Sequence, residues 1–216
     1  MYHGSIIRHR NILGYNSPMK TRTIIVFGGA FSPPTLAHEA ILRQCLRLPD
    51  ISEVWLLPSG HRTDKTISVT HDHQLALLQI ERDVVFRGEK RLKIDDREIR
   101  RPLVTETDDT YRELQQAYPD TNFWFVFGAD SYSTIRSWQN GDWLADHLPV
   151  LIAPRGNATL PAPKPNTMTL PPMSNALQQI SSTTVRAELA RAQPIDAYVS
   201  RPIGNYIRHY NLFAES

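Results

Sequence analysis

Cysteine is almost missing from this chain: Cys45 is the one cysteine in 216 residues. That excludes an internal disulfide framework and suits a reducing compartment. Cys45 falls in a helical apolar pattern and reads as a small buried hydrophobe, not a nucleophile. Long apolar runs are missing too. None approaches the length that crosses a membrane, so no membrane partner is expected. Neither sign of charge dominates. Twenty-four Lys and Arg against 22 Asp and Glu leave a formal +2, too little for a bulk electrostatic case for nucleic acid. The local basic cluster Arg97, Arg100 and Arg101 is neutralised by Asp95, Asp96 and Glu98 and reads as a solvated face. Metal-ligand spacing is thin: His71 and His73 flank Asp72 without a third ligand at useful spacing, so no protein metal site is expected.

Acidic residues are absent from residues 1–22, which carry His3, Arg8, His9, Arg10, Lys20 and Arg22. The segment lacks the apolar core of a secretory signal. It is expected to be a flexible N-terminal extension, with Met19-Lys20 just ahead of the first strand. Residues 23–216 are then expected to form a single domain, long enough for a sizeable core. A content of 41% hydrophobic and 21% charged residues places the chain among soluble globular proteins.

What is present is organised around Gly28-Gly29-Ala30-Phe31-Ser32-Pro33-Pro34-Thr35-Leu36-Ala37-His38. The apolar run Thr23-Ile24-Ile25-Val26-Phe27 before it reads as a buried strand. Leu36, Ala40, Ile41 and Leu46 after it have helical spacing. Two glycines at such a strand-to-helix turn let a ligand approach the backbone. Free N–H groups at the helix start attract phosphate, and His38 would point at the same spot.

The rest of the chain alternates. Further strands are expected at 53–57, 92–94, 123–127 and 150–152. Helices are expected at 35–47, 70–85, 107–118, 182–191 and 203–210, with short helical pieces at 131–138 and 142–146. Thr70 or Asp72 would cap the second helix. Residues 155–172 carry five prolines and read as an irregular loop. Alternating strands and helices predict an α/β fold, a doubly wound parallel sheet. Gly28-Gly29, Pro58-Ser59-Gly60, Gly128-Ala129-Asp130 and Ala153-Pro154-Arg155 all stand at strand ends, where such sheets bind ligands. A second stretch, Ile180-Ser181-Ser182-Thr183-Thr184-Val185-Arg186, offers a helix start with four hydroxyls and an arginine within a turn. That is a second phosphate-binding feature in the same domain.

With these two stretches in order, the chain resembles the bacterial nicotinate-nucleotide adenylyltransferases of the nucleotidyltransferase superfamily. The turn Thr35-Leu36-Ala37-His38 resembles the superfamily's His/Thr-x-Gly-His. Ile180-Ser181-Ser182-Thr183-Thr184-Val185-Arg186 resembles its Ile-Ser-Ser-Thr-x-Ile/Val-Arg. Asp96-Arg97-Glu98-Ile99-x-Arg101 is similar to Arg-Glu-Leu-x-Arg, and Thr105 to Leu114 to Ser-Tyr-Thr-x-x-Thr-Leu. Gly128-Ala129-Asp130, with Trp138 eight residues after Asp130, resembles a Gly-x-Asp block and ring-stacking tryptophan. Val199 to Ile207 resembles a C-terminal Pro-x-x-Val-x-x-Tyr-Ile helix. The resemblance runs from about residue 20 to 213.

It implies a Rossmann-like sheet of nucleotidyltransferase type with C-terminal helices. It also implies a reaction in NAD biosynthesis: ATP and nicotinate mononucleotide give deamido-NAD and pyrophosphate by direct in-line attack. His38, Thr35 and Arg186 would be catalytic. Gly28, Gly29, Phe31, Thr35, His38, Ser181, Ser182, Thr183 and Arg186 would surround ATP, which brings Mg²⁺. Lys65, Glu106, Thr107, Asp130 and Trp138 would meet the pyridine mononucleotide. A cytoplasmic location follows, with no nucleic acid or membrane partner and with a homo-oligomer allowed.

The chain also departs from the family pattern, at Ser32, Thr35, Ala37, the segment Arg62-Thr63-Asp64-Lys65, and Glu106. Glu106 stands where the family has a tyrosine. Facing the ligand, it would repel a nicotinate carboxylate by on the order of a few kcal/mol and favour a neutral amide. Nicotinamide mononucleotide or pantetheine phosphate as acceptor, and a non-catalytic nucleotide-binding protein, are the alternatives.

Overall fold

The computed structural model describes residues 22–61, 69–156 and 158–214. The expected extension therefore lies outside the described residues apart from Arg22, which opens the first strand. The elements run β1 (Arg22–Gly29), α1 (Leu36–Leu46), β2 (Glu53–Pro58), α2 (His71–Ile80), β3 (Leu92–Ile94), α3 (Arg97–Arg100) and α4 (Thr107–Ala117). They continue with β4 (Thr121–Gly128), α5 (Ala129–Tyr132), α6 (Gly141–His147), β5 (Val150–Ala153), β6 (Thr167–Thr169), α7 (Asn175–Gln178), α8 (Ser182–Ala190) and α9 (Arg201–His209).

The six strands form one parallel sheet in the order β3-β2-β1-β4-β5-β6. Helices cover both faces, so the central strands are apolar on both sides. On β1, Ile25 and Phe27 pack with α1 through Ile41, Leu42 and Cys45. Ile24 and Val26 face the other way, toward Leu114 of α4 and Leu144 of α6. A third cluster joins Leu77 of α2 to Val185, Ile203 and Ile207, seating the C-terminal helices.

Three details differ from the expected elements. The loop 155–172 contains β6, which pairs with β5 in the register Leu151↔Met168. A polar three-residue edge strand has no apolar run to betray it. The helix expected at 70–85 is α-helical only to Ile80, capped by Thr70. It then widens into a π turn, Glu81–Val85, closed by Phe86 N–H on the Glu81 carbonyl at 2.8 Å. The single turns α3 and α7 were too short to show a period. Among the described residues no helix is long and apolar enough to cross a membrane.

The order of the strands places the ligand crevice. The chain steps outward from β1 to β2 and β3, then returns to build β4, β5 and β6 on the opposite side of β1. At such a switch point adjacent crossovers leave in opposite directions, opening a cleft beyond the carboxyl ends of β1 and β4.

Candidate active site

A cavity of about 710 Å³ occupies that cleft. Its floor is the strand ends: Gly28 and Gly29 of β1, Ser59 after β2, Gly128 of β4 and Arg155 after β5. A Cβ on Gly28 would meet no atom within 4 Å, because the space above it is the cavity. A Cβ on Gly128 would collide with the Asp130 carboxylate. Phe31, 2% exposed, holds a left-handed backbone at φ 44°, a conformation that costs a non-glycine residue on the order of 1 kcal/mol. Edge-on packing against Phe27 at 5.5 Å and contact with the His38 ring at 5.2 Å keep it there.

His38 sits in the first turn of α1 and lines the cavity. Its Nδ1 receives the backbone N–H of Thr35 at 3.1 Å and lies 2.8 Å from the Thr35 hydroxyl. A backbone N–H can only donate, so Nδ1 is the acceptor and the ring proton resides on Nε2. Burial, and after it the charge of Arg155, push the His38 pKa from 6.5 down to about 3. The ring is thus a neutral Nε2–H donor at neutral pH. Thr35, expected to hold phosphate, is 1% exposed and turns its hydroxyl on His38 instead.

The start of α8 forms the facing wall. Ser181, Ser182, Thr183 and Arg186 line the cavity. Ser181 is the N-cap, accepting from Thr184 N–H at 3.0 Å. The Ser182 hydroxyl donates to the Pro33 carbonyl at 2.7 Å, and Arg186 Nη1 donates to the Ser32 carbonyl at 2.7 Å. Arg186 Nη2 also donates to the Thr183 hydroxyl at 3.3 Å. These bonds tie the two motif stretches together across about 150 residues of chain. The N–H groups of Ser182 and Thr183 precede the first intrahelical bond, the kind of helix start that can donate to an anion.

On the other side of the switch point, Thr107, Asp130 and Trp138 line the same cavity. Trp138 stands edge-on to Phe127, centroids 5.1 Å apart, with its Nε1–H on Thr134 Oγ1 at 3.2 Å. Asp130 is half-exposed and faces Arg155 Nη1 at 3.8 Å. Its side chain does not cap α5, where Gly128 takes the N-cap position. Glu106 is the N-cap of α4 and is not among the residues lining the cavity. Lys65 and Asp64 lie outside the described residues. Two charged cavity residues, Arg155 and Glu98, are not among the expected site residues. Arg155 shows in the sequence as a charge at a strand end, and Glu98 as a neighbour of the Arg97, Arg100 and Arg101 cluster.

Residues 26–188 match the family model described as cytidylyltransferase-like. The chain belongs to that family. Among curated relatives, a protein of Oceanobacillus iheyensis named "Probable nicotinate-nucleotide adenylyltransferase" is 28% identical over 196 residues, covering 89% of this chain and 97% of that protein. One of the same name from Shouchella clausii is 29% identical over 202 residues, covering 90% and 98%. Among solved structures, Plasmodium falciparum nicotinic acid mononucleotide adenylyltransferase complexed with NaAD superposes with a TM-score of 0.79 at 25% identity. That match covers 89% of this chain and 97% of that one. In this cytidylyltransferase-like chain the strand-end cleft, the α1 histidine and the α8 start thus occur together with full-length similarity to such proteins.

Proposed function

We propose that this protein transfers the adenylyl group of ATP to nicotinate mononucleotide, giving deamido-NAD and pyrophosphate. The observation that carries this reading is one cavity walled by two helix starts and the ends of β1 and β4, supported by full-length similarity to proteins named for this activity. A phosphate oxygen of the mononucleotide attacks the α-phosphorus. The bond from that phosphorus to the α,β-bridging oxygen breaks, and pyrophosphate leaves with the electron pair. Such a transfer needs alignment and charge neutralisation rather than a protein nucleophile.

His38 Nε2–H donates to the charge that develops on the α-phosphate and leaving oxygen, and Thr35 holds the ring for it. The α8 N–H groups and Arg186 bind the β- and γ-phosphates. Arg155 adds positive charge on the far side. Trp138, Asp130 and Thr107 receive the mononucleotide through its ring, ribose and ring carboxylate. ATP would enter as its Mg²⁺ complex, the cation supplying neutralisation of phosphate charge beside Arg186 and the α8 N–H groups. A cytoplasmic setting supplies both, and the buried Cys45 thiol, pushed up to about 12, stays unreactive there.

The acceptor assignment has a concrete check. Incubation with ATP labelled at the α-phosphorus and nicotinate mononucleotide should place the label in a dinucleotide. Label recovered only in AMP would overturn the reading.

A further inference from the structure

Behind Thr107 the acceptor side of the cavity is backed by a polar network centred on the buried Thr110 hydroxyl. Thr110, fully buried, donates its hydroxyl to Glu98 Oε1 at 2.7 Å, and Glu98 is 7% exposed. Arg101 Nη1 reaches the same hydroxyl oxygen at 3.5 Å, while its Nη2 lies 2.7 Å from Glu113. Arg97 pairs with Asp95 at 2.7 Å and faces Glu113 at 3.9 Å. The end of β2 closes on the same point. A Cβ on Gly60 would overlap the Glu98 carbonyl oxygen, so the strand end rests directly on the backbone of α3. Next to it, the N–H and hydroxyl of Thr105 both donate to the His61 carbonyl, at 3.0 and 3.3 Å.

One hydroxyl therefore joins α4 to α3, and Gly60, just after β2, packs on the α3 backbone. Glu98 of α3 and Thr107 of α4 line the cavity, whereas Thr110 does not. Thr110 is three residues after Thr107 on the same helical face. In the segment between α3 and α4, Leu103 and Val104 are exposed, and Thr105 ties the segment to the His61 carbonyl. Asn140 and Gln139 hold Asp108 and Asp109 of the first turn from one side at 3.3 and 3.4 Å, and the short hydroxyl-to-carboxylate bond holds the helix to α3 from the other.

The geometry points to Thr110 and Glu98 as positioning residues for the acceptor subsite. Their hydrogen bond sets the height and rotation of the first turn of α4, and with it the Thr107 hydroxyl and the free N–H groups beside the acceptor's ring carboxylate. This inference rests on the adenylyl-acceptor reading given above.

Equilibrium binding of nicotinate mononucleotide and of ATP, with steady-state kinetics, tests it on Thr110→Val, Thr110→Ala and Thr110→Ser. Thr110→Val should weaken the mononucleotide about tenfold and leave ATP within about twofold. The loss should appear in the mononucleotide KM rather than in kcat. Thr110→Ser keeps the hydroxyl and should bind as wild type does. Thr110→Ala removes the same hydroxyl without added bulk and should show the same selective loss, which keeps the test open where the valine variant does not fold. Unchanged mononucleotide binding in Thr110→Val would overturn the inference. So would a parallel loss for ATP, which marks general loosening. Wild-type protein that binds ATP but no mononucleotide would overturn the acceptor reading instead, a failure visible without any variant.

Discussion

His38 is held as a neutral donor by two independent features, its Nδ1 contacts to Thr35 and its burial near Arg155. Replacing it with alanine removes a transition-state donor from an otherwise intact phosphate site. His38→Ala should lower kcat by about 10²–10³-fold while ATP binding changes little, as read by single-turnover kinetics and ATP titration. The same residue gives a signed pH dependence. The unfolded chain takes up a proton near the ordinary value of 6.5, and the folded protein does not until about 3. Folded stability is therefore complete above 6.5 and is lost as pH falls through that window. Denaturant unfolding of wild type against His38→Gln should show wild type losing on the order of 1–3 kcal/mol relative to the variant between about pH 7 and 4. A constant difference would contradict the burial of the ring. At this scale His38 and Arg186 were legible because residue type and motif spacing announced them. The inward use of the Thr35 and Ser182 hydroxyls was not, since a hydroxyl's partner depends on loops that sequence spacing does not specify.

The π turn after α2 carries the opposite slope. Glu81 is 1% exposed, and burial, followed by the nearby charge of Glu39, pushes it from 4.5 up to about 9. It is protonated in the folded protein while the unfolded chain ionises above about 4.5. Stability is thus full below 4.5 and declines as pH rises toward 9. Glu81→Gln keeps the shape and removes that cost, so at pH 8 it should raise stability by on the order of 1–3 kcal/mol, read as a shift in denaturant midpoint. A destabilised variant would mean the carboxyl makes contacts the amide cannot replace. Gly128 poses a steric test at the end of β4. A methyl there displaces the Asp130 carboxylate, so Gly128→Ala should raise the mononucleotide KM several-fold, on the order of 1 kcal/mol, with ATP KM little changed. Equal effects on both would place Asp130 elsewhere in the reaction. Elements with a cap and an apolar face, such as α1 and α8, were legible from sequence. β6 and the π turn were not, because Thr167–Thr169 is polar and a π turn shares the side-chain pattern of the α-helix it extends.

For the molecule as a whole, the alternation of strands and helices was enough to foresee a parallel sheet and a ligand cleft at strand ends. The order β3-β2-β1-β4-β5-β6 then fixes which ends meet. Arg155 enters the site only through that order, since β5 must lie beside β4 for its following residue to face His38. Glu106, whose charge argued for a neutral acceptor, stands at the cap of α4 and not in the cavity wall; the rotation of one helix start decides this, and sequence spacing does not report it. The claim that most depends on this assembly is the identity of the acceptor. Pyrophosphate release with ATP and Mg²⁺, measured against nicotinate mononucleotide, nicotinamide mononucleotide and 4′-phosphopantetheine, tests it most directly. The expected result is turnover with nicotinate mononucleotide at least about tenfold above either other acceptor, a difference of about 1.4 kcal/mol in transition-state stabilisation. Preferred turnover with one of the other two, or ATP binding without turnover on any, would contradict it.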